Sequence, residues 1–186
     1  MKKIFTIFTI FTVLFSLRAQ ERNSQQESGS ERKNDILADP ILLIAVPMIN
    51  VSYERLISQN MGIGVNAMIT LNDDVDDFRQ VSPYFRYYLG RKYASGFFFE
   101  GFVPITNSQT EVYTEINENN YYSYNYAGDQ NITTVGVGFG VGGKWVIKDK
   151  LVIEASGGIA RRFGDFNKYN TGGVTGKIMA GIGYRF

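Results

Sequence analysis

Glu54, Glu100 and Glu154 each sit inside an apolar segment, where a carboxylate requires an explanation. Paired carboxylates can act as general acid and base in hydrolysis. The chain offers few other reactive groups, since its 186 residues include no His and no Cys. Ser–His and Cys–His nucleophile pairs, His-rich metal sites, disulfides and a lipid-bearing Cys are therefore closed to it. A hydrolase on this chain would have to run on carboxylates alone. Neighbouring segments carry Arg86, Lys144 and Arg162. Pairing of the glutamates with these bases is the simpler expectation, because buried charges must be compensated.

Two other clusters invite chemistry. Asp73, Asp74, Asp76 and Asp77 crowd the stretch NDDVDDFRQ. Calcium takes clustered carboxylate oxygens, but this spacing lacks the Gly and distal Glu of an EF-hand loop. A solvated acidic loop is expected there, with no metal and no cofactor. Tyr113, Tyr121, Tyr122, Tyr124 and Tyr126 lie among Asn residues in NSQTEVYTEINENNYYSYNYAGDQN. Tyr and Asn make adaptable contacts at low entropic cost. A recognition loop of unknown ligand is one expectation, and a loop folded over the mouth of the fold is the other.

The elements that must hold these residues alternate with period two, which predicts strands. In the last, Val174, Gly176, Ile178, Ala180, Ile182, Tyr184 and Phe186 oppose Thr175, Lys177, Met179, Gly181, Gly183 and Arg185. The same pattern recurs upstream and gives eight strands, at about 35–46, 48–58, 61–71, 79–90, 94–106, 132–147, 150–163 and 173–186. Aromatics at 15% and 20 glycines suit a twisted β protein.

Ahead of these strands stands MKKIFTIFTIFTVLFSLRAQ, with a basic start, a short apolar run and an Ala-Gln pair. This predicts a secretory signal peptide over residues 1–19. Its apolar run is shorter than the roughly 20 residues of a membrane helix. Cleavage after Ala19 would remove Lys2, Lys3 and Arg18 and turn the net charge of +1 slightly negative. Residues 20–34, QERNSQQESGSERKN, are polar and aperiodic, and a disordered leader is expected there. No basic block favours nucleic acid.

Which face turns inward decides the class. The polar faces carry Asp39, Glu54, Arg86, Glu100, Lys144, Glu154, Arg162, Lys177 and Arg185, four acids interleaved with five bases. Near balance suits a narrow lumen in which charges pair. A soluble barrel, the alternative, would put them in water. Arg55 departs by falling on the apolar face near a strand end, where its stem can snorkel. The turns LISQNM, GRKYAS and IKDK are short, whereas three of the four on the opposite side are long: NDDVDDFRQ, residues 107–131 and DFNKYNTGG. Tyr53, Tyr87, Phe97, Trp145, Tyr184 and Phe186 lie on apolar faces near the short-turn ends. Loop asymmetry and an aromatic girdle both predict an all-β, eight-stranded antiparallel up-and-down transmembrane β-barrel over residues 35–186.

The stretches INVSYERLIS, SPYFRYYLG, GFFFEGF, GVGGKWVIKDKLVIE and GIGYRF resemble a family of small Gram-negative outer-membrane β-barrels of unknown function. The resemblance implies the eight-stranded barrel and the outer membrane, and no activity. Gly181, Tyr184 and Phe186 also resemble the signal read by the outer-membrane barrel assembly machinery. The function expected is thus non-enzymatic, a monomer in outer-membrane lipid with a plugged polar lumen and a structural or surface-recognition role. Eight strands leave an interior just filled by side chains, so a wide pore is not expected. A lipid enzyme or small-ligand binder at the barrel mouth is the alternative.

Overall fold

Period-two alternation becomes a continuous antiparallel ladder. The computed structural model describes residues 32–71, 78–118, 121–163 and 173–186. The expected signal peptide, residues 20–31 of the expected leader, and Asp73, Asp74, Asp76 and Asp77 lie outside the described residues. The strands are β1 (Asn34–Ala38), β2 (Met48–Leu56), β3 (Met61–Thr70), β4 (Arg79–Tyr88) and β5 (Gly96–Phe102). They continue with β6 (Ile105–Glu118), β7 (Tyr121–Ile147), β8 (Leu151–Phe163) and β9 (Val174–Arg185).

β5 and β6 together fill one place in the wall, since each pairs with β4 on one side and β7 on the other. The break falls at Val103-Pro104, where Pro supplies no N–H to the ladder. The eight places form a closed ring because β1 pairs with both β2 and β9. At the seam Asn34 and Phe186 exchange backbone hydrogen bonds of 2.9 and 2.8 Å. Along β1 itself, closure leaves no unpaired edge.

Two expected elements are corrected. The strand expected over 35–46 ends at Ala38, and the helix α1 (Pro40–Ala45) follows. Asp39 is its N-cap, and Pro40 at the first helical position has a preset φ and no N–H to lose. Val46 N–H bonds Leu42 O at 3.0 Å, and Pro47 then stops the helix. An apolar run such as ILLIAV fits a short helix as well as a strand.

Residues 107–131, expected as a loop, instead prolong the ladder of β6 and β7, with a register shift between Val112 and Tyr113. Pairing of β4 stops at Asn107 and pairing of β8 begins at Val135, so among the described residues the ribbon beyond them has only its own two strands. From Ser108 to Glu118 it runs roughly 35 Å at about 3.3 Å per residue.

The two faces of the wall differ sharply. Ile159 is 73% exposed on the outside, while Arg86 is 0% exposed inside. Phe98 and Phe102 fill the lumen opposite Gly142 and Gly138 of β7. A Cβ at Gly142 would lie 2.6 Å from Phe98 Cζ, and one at Gly138 2.5 Å from Phe102 Cζ. Small residues on β7 therefore make room for rings from β5.

A buried charge network in the lumen

Arg86 is the hub. β4 sets it in register with Glu100 of β5 and Gly62 of β3. A side chain at Gly62 would occupy the place of the Glu54 carboxylate, so glycine there admits the acid beside the base. Arg86 Nε donates to Glu100 Oε2 at 2.6 Å, and Nη1 donates to Glu54 Oε2 at 2.8 Å. Nη1 and Nη2 also donate to Glu154 Oε2 and Oε1, both at 2.7 Å. The planar guanidinium fork matches this arrangement as an ammonium could not. Its flat faces are used too, at 4.3 and 4.4 Å from the ring centroids of Tyr84 and Phe98.

Three more bases complete the network. Lys144 Nζ donates to Glu54 Oε2 at 2.5 Å and Asp35 Oδ2 at 3.0 Å, and lies 3.7 Å from Glu154 Oε2. Lys177 Nζ donates to Glu100 Oε1 at 2.5 Å and stands 3.9 Å from the Tyr84 ring centroid. Arg185 donates to Asp35 from Nε and Nη2 at 2.7 and 2.9 Å, and to the carbonyls of Tyr93 and Ala94 at 2.9 and 3.0 Å. Tyr88 adds its hydroxyl to Glu54 Oε1 at 2.6 Å.

Each of the four acids thus touches two bases, and the four charges of each sign balance. The effective penalty for burying one unpaired ion is several kcal/mol, so a balanced cluster is the arrangement that burial tolerates. Glu54, Glu100 and Glu154 are 0%, 3% and 1% exposed. Both oxygens of Asp35, Glu54, Glu100 and Glu154 already accept hydrogen bonds within the cluster.

Asp35 was not singled out from the sequence. Its signal is parity, because Asp35 and Leu37 share the inward face of β1, and Asp39, the next residue in step just past the strand, is buried as well. Asp39, expected among the ion-paired charges, has N–H partners instead of a base. Its Oδ1 accepts from Ile41 N and Leu42 N at 3.0 Å each, and its Oδ2 accepts from Ala180 N at 2.8 Å and Asn50 Nδ2 at 3.2 Å. Arg162, expected as a partner of the glutamates, is buried opposite Gly136 at the far end of β8, and Lys177 takes that role.

The outward aromatics line one rim. Tyr53, Tyr87, Phe97, Trp145, Tyr184 and Phe186 are all exposed, each near a strand end on the short-turn side. Tyr53 and Arg55 both donate to Asn34 Oδ1 at 2.9 Å, which holds Arg55 at that rim. Gly181 is inward in β9, opposite Glu154. In the ribbon Tyr113 pairs with Tyr126, Tyr124 with Glu115, Tyr122 with Asn117 and Tyr121 with Glu118, and only this backbone register is described. Among the described residues no group of three or more potential ligands is arranged for a metal ion.

Among solved structures, the chain is similar to the N-terminal β-barrel domain of Pseudomonas aeruginosa OprF. Identity is 15%, over 83% of this chain and 96% of that one, with a TM-score of 0.43. It is also similar to neisserial surface protein A, NspA, at 12% identity over 83% of this chain and 95% of that one, with a TM-score of 0.42. No curated protein matches it. A family model described as a protein of unknown function, DUF3575, matches residues 7–181, and the chain belongs to that family.

Proposed function

We propose that this protein is an outer-membrane β-barrel with a sealed lumen, non-enzymatic, with a structural or surface-recognition role. The carrying observation is the inversion of the wall. Apolar side chains such as Val137, Phe139, Ile159 and Ile178 face out, while charges with almost no exposure face in. Soluble monomers rarely expose a contiguous apolar patch above a few hundred Å². A belt that rings the barrel suits lipid, and the rim of Tyr and Trp suits a membrane interface. The saturated carboxylates argue against hydrolysis and the filled lumen against conduction. The ribbon of β6 and β7, at the rim opposite the aromatic girdle, would then reach outward from the cell.

In this reading the barrel works as a monomer, and the assembly machinery recognises Gly181, Tyr184 and Phe186 on the closing strand. Membrane fractionation with heat-modifiable gel mobility tests the assignment. Recovery in the outer membrane, with faster migration before boiling than after, is expected. Recovery in the soluble periplasm overturns it. Planar-bilayer recording adds a second check, with no stepwise conductance expected.

A further inference from the structure

β1 is the shortest of the described strands, and beyond it the wall lacks a strand. It ends at Ala38, opposite Val51 and Ile182. β2 extends on to Met48 and β9 to Val174, so their facing edges continue without a strand between them. Side chains replace the missing ladder. Asp39 Oδ2 accepts from Ala180 N at 2.8 Å, Asn50 Nδ2 donates to Ile178 O at 2.8 Å, and Gln80 Nε2 reaches Gly176 O at 3.1 Å.

Helix α1 packs over the gap against β2 and β9, and none of its residues is buried. Ile41 is 61% exposed and Ile44 83%. Behind the gap lie Met68 and Met179, with Sδ atoms 4.0 Å from Gln80 Nε2 and 3.9 Å from Asn50 Nδ2. Met is the side chain that repacks most readily. In the same half of the lumen Asn66 Oδ1 and Ser82 Oγ are buried with no hydrogen-bond partner, on residues paired in register.

An open strand edge in hydrocarbon is costly for each unmet backbone group, and here three inward side chains meet three groups of the β9 edge. Parting a full ladder breaks a row of backbone bonds, whereas parting this seam breaks a few side-chain bonds. The cover, Pro40–Ala45, carries no charge of its own, and Asp39 ties it to the wall through Ala180 N and Asn50 Nδ2. The charge cluster beneath is balanced, which favours an uncharged polar group over an ion.

We propose that this seam is a lateral portal. α1 moves aside, Asp39 serves as its latch, and the chain of a monoacyl lipid with an uncharged hydroxyl-bearing head enters between β2 and β9. The head then meets Asn66 and Ser82, and the tail displaces Met68 and Met179. The proposal rests on the membrane-barrel reading.

The test uses the full-length barrel in phosphatidylcholine vesicles doped with a monoacylglycerol that carries a benzophenone at its chain end. After illumination, adducts are mapped by peptide mass spectrometry. Adducts on Met68 and Met179 are expected, and Asp39→Ala should raise them several-fold. Asn50→Ala supplies the same comparison if Asp39→Ala does not fold. Adducts confined to outward residues such as Ile49, Ile178 and Ile182, in a barrel that has inserted, overturn the portal and leave the membrane reading intact. Protein that never enters the vesicles overturns both. Inward labelling that neither variant changes overturns the latch.

Discussion

Arg86 of β4 and Glu154 of β8 meet across the lumen in a two-point ion pair, with both N–O distances at 2.7 Å and neither side chain exposed. β4 and β8 are not neighbours in the wall, so this pair braces strands that share no backbone bond. A buried pair need not add net stability relative to apolar residues, because desolvation offsets the attraction. Loss of one partner is a different matter, since it leaves the other charged and buried.

Arg86→Met removes the base that touches three acids at once. The expected loss is at least about 3–5 kcal/mol, the usual cost of breaking a buried pair from one side. Urea unfolding followed by the fluorescence of Trp145, the chain's single tryptophan, would measure it. Adding Glu154→Gln, which leaves three acids facing three bases, should recover part of the loss. If the double variant is no more stable than Arg86→Met alone, charge balance is not what the cluster provides.

Glu154→Leu takes away an acid that Arg86 and Lys144 share. Both bases keep other carboxylates, at Glu54 and Glu100 for Arg86 and at Glu54 and Asp35 for Lys144. The loss should therefore be smaller than for Arg86→Met, and clearly above that of Tyr88→Phe. Tyr88→Phe removes one hydroxyl bond to a charged group, worth about 1.5–3 kcal/mol. The order Arg86→Met, then Glu154→Leu, then Tyr88→Phe is the outcome to check by the same titration. An unchanged midpoint for Glu154→Leu would contradict the cluster geometry.

Much of this is written locally in the chain. Parity alone puts Glu54, Arg86, Glu100, Lys144, Glu154, Lys177 and Arg185 on the faces opposite the apolar residues, because a strand turns alternate side chains the same way. Parity says nothing of who meets whom across a closed ring. Arg86 and Glu154 stand 68 positions apart, and their contact depends on ring closure and register together. Helix α1 is hard to read from the chain because ILLIAV has no polar marker, although Asp39-Pro40 carries both a cap and a first-turn proline. The polarity of residues 107–131 predicts a loop, yet the backbone ladder of β6 and β7 continues through them.

Gly142→Ala should be destabilising out of proportion to one methyl group. The new Cβ would lie 2.5 Å from Ser156 Cβ, 2.6 Å from Phe98 Cζ and 2.8 Å from Ala155 O. Overpacking of this kind costs about 1–3 kcal/mol. Phe98→Leu in the same chain should recover only part of it, because Ser156 and the Ala155 carbonyl stay in place. A Gly142→Ala barrel that unfolds with the wild-type midpoint would show that β7 does not need its glycine for ring packing.

Excision of the ribbon should leave the barrel standing. Ser108 and Ile132 are opposite one another, so residues 109–131 can be replaced by Asn-Gly in a two-residue hairpin turn. The excised part pairs with neither β4 nor β8, whose contacts stop at Asn107 and Val135. No residue of the charge network lies within it. The shortened protein is therefore expected to insert, to keep its heat-modifiable mobility and to unfold in urea at the wild-type midpoint. It would lose any binding of external partners that the ribbon provides. A lower midpoint would mean that the ribbon supports the wall, and its assignment to outward contact would then fail.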